Sequence, residues 1–597
     1  MRLFSASVVI LLLGGLLSGC LVSEDKTDQG YPSIWDRSSL DWDTSGTFSR
    51  VLESGPFYAL DVQEAMIEVD TSAVWETGPS SAKVHLSYWL PSNTEEGDRV
   101  PVIAVISPYF SYGSPGDESS PTNIVGSGRG EFIFENFVPH GYAFAQVAVF
   151  GTEESSGCFD YRGAGEGLGI HSAVEWLGEQ EWSNGNVGLY GKSYEGATQW
   201  EAAAMGSEYL KTIVPISGTT ALHPLLYKNG SAEARSQVMH MNYFSSTVDY
   251  DADDFDNVCP DIVEGFFAGP VTYVGGEMDP YMQNYYDERS HIDKAFGNWN
   301  GSIYWVQGMQ DWNVDPHQIF GGPPGTNWYS DYVESGYEVR GILGQWGHDY
   351  PDQWEKHDDS VSGYGLEALS NMTRWDWAQD LFEWFEYYLQ ERGPKPDHIA
   401  QIQRSDGEWR IEQSWPPGDS EKYVVDMGSC GNDGAFVGGI SVIGGGVPVV
   451  GGGQSITVEC PEINSDFAMH ISGLVTLHLS AVPSFDGGQI FIEMQNLETG
   501  VRIGHATMDV RYYEGGYEPK TVVPGQEITM MMEFQGIDAI VNPGQGLRFI
   551  LSDTGEDYLA PACGNACTVH VLTSLSELSL PLIERGAATI LEVPMNI

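Results

Sequence analysis

Apolar and polar positions follow different patterns in the two halves of the chain. Four short apolar runs in the first half are typical of buried strands, at residues 102–106, 187–190, 303–306 and 339–344. Apolar residues at helical spacing precede the second run, namely Ile170, Ala173, Val174 and Leu177. Buried strands with such a crossover helix predict an α/β domain, which the helical run Asp376–Leu389 closes.

Beyond Pro394 the hydrophobic pattern changes to a period of two. Apolar residues alternate with polar ones in several segments, as at Val475, Leu477 and Leu479, at Ile528, Met530, Met532 and Phe534, and at Leu547, Phe549 and Leu551. Glycine triplets at 444–446 and 451–453 supply turns between such runs. This pattern predicts half-buried strands, and hence an all-β sandwich of jelly-roll type over residues 396–597.

The first residues predict an export signal. One positive charge precedes the apolar run 8–17, which is too short to span a bilayer. Leu17–Cys20 resembles a bacterial lipoprotein cleavage box, in which Cys20 would become the lipidated first residue. A plain signal peptide with an incidental cysteine is the alternative. We therefore expect a signal peptide over 1–20, a tether over 21–45 and an extracytoplasmic, membrane-anchored protein.

Length and charge indicate how many domains the chain has and which kinds of partner it can bind. A chain of 597 residues is too long for one core and implies at least two domains. Its 84 acidic side chains outnumber the 27 Lys and Arg, which gives a formal charge of −57. Nucleic acid is excluded as a partner, because phosphate binding requires clustered Lys and Arg. Such acidity favours a surface hydrated in a salty environment.

The segment Tyr190–Gly196 carries the main candidate for chemistry. It places Ser193 between glycines where a strand turns into a helix, an arrangement that exposes a nucleophilic hydroxyl. Gly191-Lys192-Ser193 also ends the phosphate-binding loop pattern. Asn186 stands where that pattern requires its first glycine, so nucleotide binding is disfavoured.

A serine needs a base and an orienting acid, and both types of residue follow at strand ends. Asp311 comes after the predicted strand 303–306, and His348 comes after the predicted strand 339–344. The order Ser, Asp, His is that of α/β-hydrolases. Asp315 is a second possible acid.

Four segments together resemble the X-prolyl dipeptidyl-peptidase and cocaine-esterase family of serine hydrolases. The matching segments are Gly191–Gly196, Gly308–Val314, Gly347-His348 and, for the X-prolyl branch, Gly151–Tyr161. The similarity covers roughly residues 60–597. It implies an α/β-hydrolase domain over 46–395 and a jelly roll behind it. It also implies that Ser193 is the nucleophile, Asp311 the orienting acid and His348 the general base.

The resemblance also implies an oxyanion hole. Tyr109, which follows the predicted strand 102–106, would supply its hydroxyl, and Tyr194 would supply its backbone N–H. A core tyrosine at a strand end is the alternative for Tyr109. Glu195 departs from the family pattern: it would meet a substrate ammonium or, as we favour, cap the helix or face solvent. Trp312 and Trp346 are further candidates for substrate contact.

The long connection from Ser193 to Asp311 predicts an insertion. It spans 311 − 193 = 118 residues, and its aromatic-rich part at about 222–298 suits a helical cap over the site. Five aspartates within 249–256 resemble a calcium loop, but Asp254 and Pro260 replace the required glycine and glutamate. A solvated acidic loop is therefore favoured.

Six cysteines remain after Cys20, an even number in a chain bound for an oxidising space. We expect the pairs Cys158–Cys259, Cys430–Cys460 and Cys563–Cys567, out of fifteen connectivities. A metal held by Cys563, Cys567 and His570 is disfavoured, because a fourth ligand is missing.

Three hypotheses follow. The first is an X-prolyl dipeptidyl-peptidase that releases amino-terminal dipeptides without a cofactor, and it rests on the family resemblance. The second is an ester or amide acylase of the cocaine-esterase type, with the same triad. The third, from another class, is a surface protein whose jelly roll binds glycan while the hydrolase half is inert. Fold alone does not choose among them.

Overall fold

The structure is a computed structural model, and a long series of segments is described. They are residues 52, 54–75, 78–110, 130–233, 259, 280–311, 313–320, 327–352, 374, 376–438, 440–444, 447–451, 453–461, 468–516, 518–555, 558–559, 561, 563–584 and 590–591. The predicted signal peptide, tether and lipidation site at Cys20, the middle of the predicted cap and its aspartate-rich loop lie outside these residues. Among the described residues, no helix is both long enough and apolar enough to cross a bilayer.

An eleven-stranded sheet forms the first domain. Its first six strands are β1 (Gln63–Asp70), β2 (Ser81–Trp89), β3 (Val100–Ser107), β4 (Ala143–Ala148), β5 (Ser183–Lys192) and β6 (Leu210–Ile216). A separate small hairpin of β7 (Tyr227–Lys228) and β8 (Ser231–Ala232) follows in the chain. The sheet then continues with β9 (Ser302–Gly308), β10 (Val339–Gly344), β11 (Ala400–Gln403) and β12 (Trp409–Glu412). The spatial order is β1-β2-β4-β3-β5-β6-β9-β10-β11-β12, and a last strand from residues 590–591 closes the edge. The central strands from β4 to β11 are parallel to one another.

Helices cover both faces of this sheet. They are α1 (Gly130–Phe137), α2 (Ala164–Glu179), α3 (Tyr194–Met205), α4 (Leu222–Leu226), α5 (Pro280–Glu288), α6 (Ile292–Asn298), α7 (His317–Phe320), α8 (Trp328–Glu334) and α9 (Trp377–Gln390). Two apolar clusters, one on each face, bury the strand side chains. The helix α3 is buried along nearly its whole length, and its small residues Ala197 and Ala202–Ala204 let it pack closely.

The second domain is built from antiparallel sheets. Its strands are β13 (Glu421–Asp426), β14 (Gly434–Val437), β15 (Ile440–Gly444), β16 (Val447–Gly451), β17 (Ile456–Cys460), β18 (Met469–Pro483), β19 (Gln489–Asn496), β20 (Arg502–Asp509), β21 (Ile528–Val541), β22 (Leu547–Ser552), β23 (Thr568–Val571) and β24 (Glu577–Leu582), and β25 (Ile590–Leu591) returns to the first sheet. A six-stranded and a four-stranded sheet enclose one apolar core. The alternating residues Val475, Leu477 and Leu479 all point into this core.

The predicted fold, an α/β-hydrolase domain followed by a β-sandwich, is confirmed. One detail differs from the expectation. The first two strands after residue 395 extend the hydrolase sheet, since β11 pairs in parallel with β10 and β12 pairs with β11. The boundary predicted at 395/396 therefore does not coincide with the end of that sheet. Their short apolar pattern did not distinguish these strands from those of the sandwich.

Candidate active site

Ser193 lies at a strained turn between β5 and α3. Its backbone angles are φ 63° and ψ −122°, a conformation that a non-glycine residue adopts only when its surroundings enforce it. Its N–H donates to the carbonyl O of Ile216 on the neighbouring strand at 3.0 Å. A Cβ at Gly196 would lie 2.7 Å from the Cα of Gly218, so the glycine allows the helix to begin against the sheet. The predicted nucleophile elbow is the observed geometry.

His348 and Asp311 form a hydrogen-bonded pair. The His348 Nδ1 lies 2.8 Å from the Asp311 Oδ2. The other oxygen of Asp311 accepts the backbone N–H groups of Asn313 and Val314 at 2.9 and 2.8 Å. The carboxylate is fully buried, whereas the imidazole keeps 14% of its surface exposed. A carboxylate fixed in this way holds the proton on Nδ1 and leaves Nε2 as the basic nitrogen.

The pKa of Asp311 reflects these contacts. Burial raises it, because an ionised carboxyl loses hydration. The charge and hydrogen bond of His348, with the Val314 N–H, lower it by more, so the net shift is downward. Asp311 therefore stays ionised at neutral pH and can stabilise an imidazolium on His348.

The sheet order brings the elbow to this pair. The strands β5, β6, β9 and β10 are consecutive neighbours and parallel, so their carboxyl ends meet at one edge. Lys192, next to Ser193, donates from Nζ to the carbonyl O of His348 at 2.7 Å. The Gln310 N–H donates to the carbonyl O of Trp346 at 3.0 Å, which packs the acid-bearing turn against the histidine loop. The three predicted triad residues thus share one edge, and their catalytic roles stay a prediction.

Asp315, the alternative acid, has another partner. It forms a buried ion pair with Lys228, which also pairs with Glu233. The Lys228 ammonium lies 5.4 Å from the ring centroid of Tyr558 in the second domain. Asp311, and not Asp315, is therefore the acid in contact with the imidazole.

The two predicted oxyanion-hole residues lie side by side. Their rings are 6.0 Å apart in an edge-to-face arrangement. Tyr109 is half-buried, and its backbone N–H donates to the Ser107 Oγ at 3.1 Å. Tyr194 is the first residue of α3, so its N–H belongs to the positive end of that helix.

Glu195 does not face solvent, which was one of the roles expected of it. Its side chain is buried, with 1% of the residue exposed, and it accepts a hydrogen bond from the Ser107 Oγ at 3.0 Å. Because Ser107 in turn holds the Tyr109 N–H, Glu195 supports the segment that carries the candidate oxyanion donor.

Of the two tryptophans expected to contact a substrate, only Trp346 lies in the part of the chain that the structure describes. Trp346 is fully buried, with its ring 5.8 Å from that of Trp409, and it fills the space left by the missing side chain of Gly344. It packs in the core and is not among the residues that line the cavity beside Ser193. Trp312 lies outside the described residues. A bulky aromatic beside a catalytic motif is therefore no sign of substrate contact.

A small cavity of about 10 Å³ lies beside Ser193. Most of its lining is apolar or aromatic, and the residues are Tyr161, Arg162, Ser193, Tyr194, Ala197, Thr219, Leu222, Leu225 and Val314. The walls come from five places: the segment before α2, the elbow with the start of α3, the segment after β6, the helix α4 and the turn after Asp311. Leu222 and Leu225 belong to the part that the sequence assigned to the cap.

Sequence reasoning missed a pair of buried carboxyl groups behind this cavity. The Tyr194 hydroxyl donates to both oxygens of Glu166, at 2.7 and 2.9 Å. Burial, together with the charge of the neighbouring Glu201, raises the pKa of Glu166 to about 8. Burial likewise raises the pKa of Glu201 to about 7, against the opposing charge of Arg162. Since acidic residues are mostly exposed, their positions on α2 and α3 gave no signal.

Three disulfides join the pairs expected from the sequence: Cys158 with Cys259, Cys430 with Cys460, and Cys563 with Cys567. The first ties the segment before α2 to the cap insertion, where the Cys259 N–H also donates to the Phe159 carbonyl at 3.1 Å. Because Cys563 and Cys567 bind each other, neither is a thiolate available to a metal.

Comparisons with known proteins agree with these observations. Residues 80–350 match the family described as X-Pro dipeptidyl-peptidase (S15 family). A Bacillus anthracis protein provisionally named Xaa-Pro dipeptidyl-peptidase is 24% identical over 89% of this chain and 90% of its own length. The cocaine esterase of Rhodococcus sp. is 33% identical over 124 residues, 21% of this chain and 20% of that one.

Solved structures share the fold across both domains. An α-amino acid ester hydrolase matches 88% of this chain and 97% of its own, with a TM-score of 0.60 and 17% identity. A CocE/NonD family hydrolase from Staphylococcus aureus matches 93% of this chain and 100% of its own, with a TM-score of 0.63 and 13% identity. The resemblance inferred from the sequence motifs is confirmed.

Proposed function

We propose that this chain, a serine hydrolase whose residues 80–350 match the S15 family, is an exported X-prolyl dipeptidyl-peptidase. The observation that carries the proposal is the 2.8 Å pair of His348 and Asp311 at the sheet edge that also holds the strained Ser193. A relative similar along almost the whole chain carries the name of that activity.

In this reaction His348 Nε2 takes the proton of the Ser193 hydroxyl as its oxygen attacks the scissile carbonyl carbon. The charge that develops on the carbonyl oxygen is stabilised by the Tyr109 hydroxyl and the Tyr194 N–H. His348 then returns the proton to the leaving amine, and the dipeptide stays bound to Ser193 as an ester. Water, deprotonated by the same histidine, releases the dipeptide.

The cavity supports proline as the residue at the cleaved bond. Its walls are largely apolar, its volume is small, and it begins at Ser193 itself. A pyrrolidine ring is compact and apolar, which matches the character of these walls. Leu222, Leu225 and Val314 would contact the ring.

The disulfides support the part of the proposal that concerns export. The three disulfides suit an oxidising compartment. We propose that the chain is anchored by a lipid on Cys20 outside the cytoplasm. Labelling with radioactive palmitate, lost in Cys20→Ala, tests the anchor.

The second candidate is an ester or amide acylase. The Rhodococcus cocaine esterase shows the higher identity, although over a short segment. The proposed triad is equally suited to both kinds of acyl donor.

The test compares Gly-Pro-4-nitroanilide with 4-nitrophenyl butyrate on the intact protein. We expect cleavage of the anilide, lost in Ser193→Ala and retained in Ser429→Ala, a matched change at an exposed serine of the second domain. An enzyme that turns over the ester rapidly and leaves the anilide intact would exclude the peptidase and favour the acylase.

A further inference from the structure

Arg162 occupies an unusual position in the candidate active site. It lines the same cavity as Ser193, yet it is buried, with 2% of its side chain exposed. The remaining cavity walls are mainly apolar. A guanidinium group at such a place requires hydrogen-bond acceptors, because burying its N–H groups without partners is unfavourable.

The guanidinium is only partly paired. Its Nε donates to the Glu201 Oε1 at 3.0 Å. Its Nη1 and Nη2 are buried and make no hydrogen bond in the part of the chain that the structure describes. Those two nitrogens carry four of the five N–H donors of the side chain. These N–H groups can therefore donate to an acceptor that the described residues do not supply.

The surroundings hold this residue firmly. Its backbone lies in the left-handed region at φ 69°, and the preceding Tyr161 has φ 41°. The Arg162 N–H donates to the Glu166 Oε2 at 3.1 Å, and its carbonyl O accepts from the His291 Nε2 at 3.1 Å. Strained backbone fixed by several hydrogen bonds is typical of functional sites. The guanidinium is thus oriented in advance.

The charges favour a neutral acceptor. Glu201 already offsets the positive charge of Arg162 through its ion pair. A second carboxylate in this buried place would face Glu201, whereas a carbonyl oxygen brings no charge. A carbonyl is also a good partner for a guanidinium N–H.

We propose that Arg162 is a specificity-determining residue that binds the oxygen of a carbonyl group at the fourth chain atom of the acyl group, counted from the carbon that Ser193 attacks. The inference rests on the proposed function: in an X-prolyl dipeptide, the carbonyl joining the first residue to proline stands at that position. Acyl groups without such an oxygen leave the Nη groups unpaired and react more slowly. Arg162 therefore selects acyl groups of peptide type over simple alkanoyl groups.

Two nitrophenyl esters test this directly. 4-Nitrophenyl 4-oxopentanoate carries the carbonyl, and 4-nitrophenyl pentanoate lacks it. The quantity to measure is the ratio of their kcat/KM values within each enzyme variant. This ratio does not depend on how much of a preparation is folded, and differences in chemical reactivity cancel when variants are compared.

We expect the ratio to fall about tenfold in Arg162→Met, the loss expected when a buried donor is removed from a bound acceptor. The double variant Arg162→Met with Glu201→Gln removes the unpaired carboxylate and should show the same low ratio. Glu201→Gln alone keeps Arg162 and should keep the high ratio. Arg548→Met, at a half-exposed arginine of β22, serves as the matched control.

An unchanged ratio in both Arg162 variants would overturn the proposal. So would a wild-type enzyme that fails to prefer the oxo ester. Gly-Pro-4-nitroanilide separates this result from the fate of the peptidase assignment. If the anilide is not cleaved but the ratio falls as described, the dipeptidyl-peptidase activity is refuted and the role of Arg162 stands.

Discussion

Lys228 offers a sharp test of how the second domain supports the active site. It is buried, with 5% of its surface exposed, and it pairs with Glu233 and Asp315, which are 0% and 1% exposed. Asp315 belongs to the turn that carries Asp311. The Lys228→Met change keeps the length of the side chain and removes its charge, so two buried carboxylates lose their cation.

The magnitude follows from the burial of all three groups. Removing one partner of a buried ion pair typically costs 3–5 kcal/mol, roughly a third to a half of the stability of an ordinary domain. A loss of that size lowers Tm by on the order of 10 °C in a domain of this length. We also expect a lower kcat/KM, because Val314 and Asp315 adjoin both the cavity and the acid.

The assay is thermal unfolding together with Gly-Pro-4-nitroanilide kinetics. Lys422→Met, at an exposed lysine of β13, is the matched control and should change neither. The triple variant Lys228→Met, Glu233→Gln, Asp315→Asn carries no unpaired charge and should recover much of the lost stability. If the single and triple variants have the same Tm, or if Lys228→Met has the Tm of the wild type, the reasoning about unpaired charge is refuted.

Three further predictions concern single contacts. Asp311→Asn should reduce kcat by on the order of a thousandfold or more without unfolding the protein, measured by steady-state kinetics, because an amide cannot stabilise the imidazolium; a loss under tenfold would exclude Asp311 as the orienting acid. Tyr109→Phe should reduce kcat about a hundredfold and leave KM nearly unchanged, as expected for a donor used in the transition state; a change in KM alone would contradict this role. His85 is hydrogen-bonded to Glu153, and this bond raises the pKa of His85 above 6.5. Burial raises the pKa of Glu153, but its hydrogen bonds and the charge of His85 together lower it by more, so that its net pKa lies below 4.5. The charged pair is therefore fully present between about pH 4.5 and 6.5, and it is lost as pH rises through the folded pKa of His85 or falls through that of Glu153. The Tm difference between wild type and His85→Gln should be largest near pH 5.5 and shrink by pH 9, and a difference that does not vary with pH would count against the pair.

The sequence predicted those features that depend on local pattern. Buried strands, the crossover helix and the elbow at Ser193 all have a periodic or steric signature within about ten residues. The acid and the base were identifiable because each follows a strand. In a parallel sheet such positions meet at one edge, so distant residues converge without any further information.

The features that the sequence did not predict depend on tertiary packing. Glu195 and Glu166 are carboxylates, and composition favours exposure for both. Both are buried because α3 packs against the sheet, where Glu195 accepts a hydrogen bond from Ser107 and Glu166 accepts one from Tyr194. Trp346 beside the histidine was misjudged for the opposite reason, since proximity in sequence to a catalytic residue says nothing about which way a side chain points.

The position of the second domain shows why its strands cannot be separated from the site. The hydrolase sheet continues through β11 and β12 beyond residue 395 and ends on β25, which follows the whole sandwich. Arg410 on β12 donates to both oxygens of Asp538 on β21, at 2.8 and 2.6 Å. On the other side, the hairpin after α4 is held by the Asp509 N–H, which donates to the Asn229 carbonyl at 3.0 Å. Because α4 forms one wall of the cavity beside Ser193 and leads into this hairpin, the sandwich supports that wall, even though it supplies none of the proposed catalytic side chains.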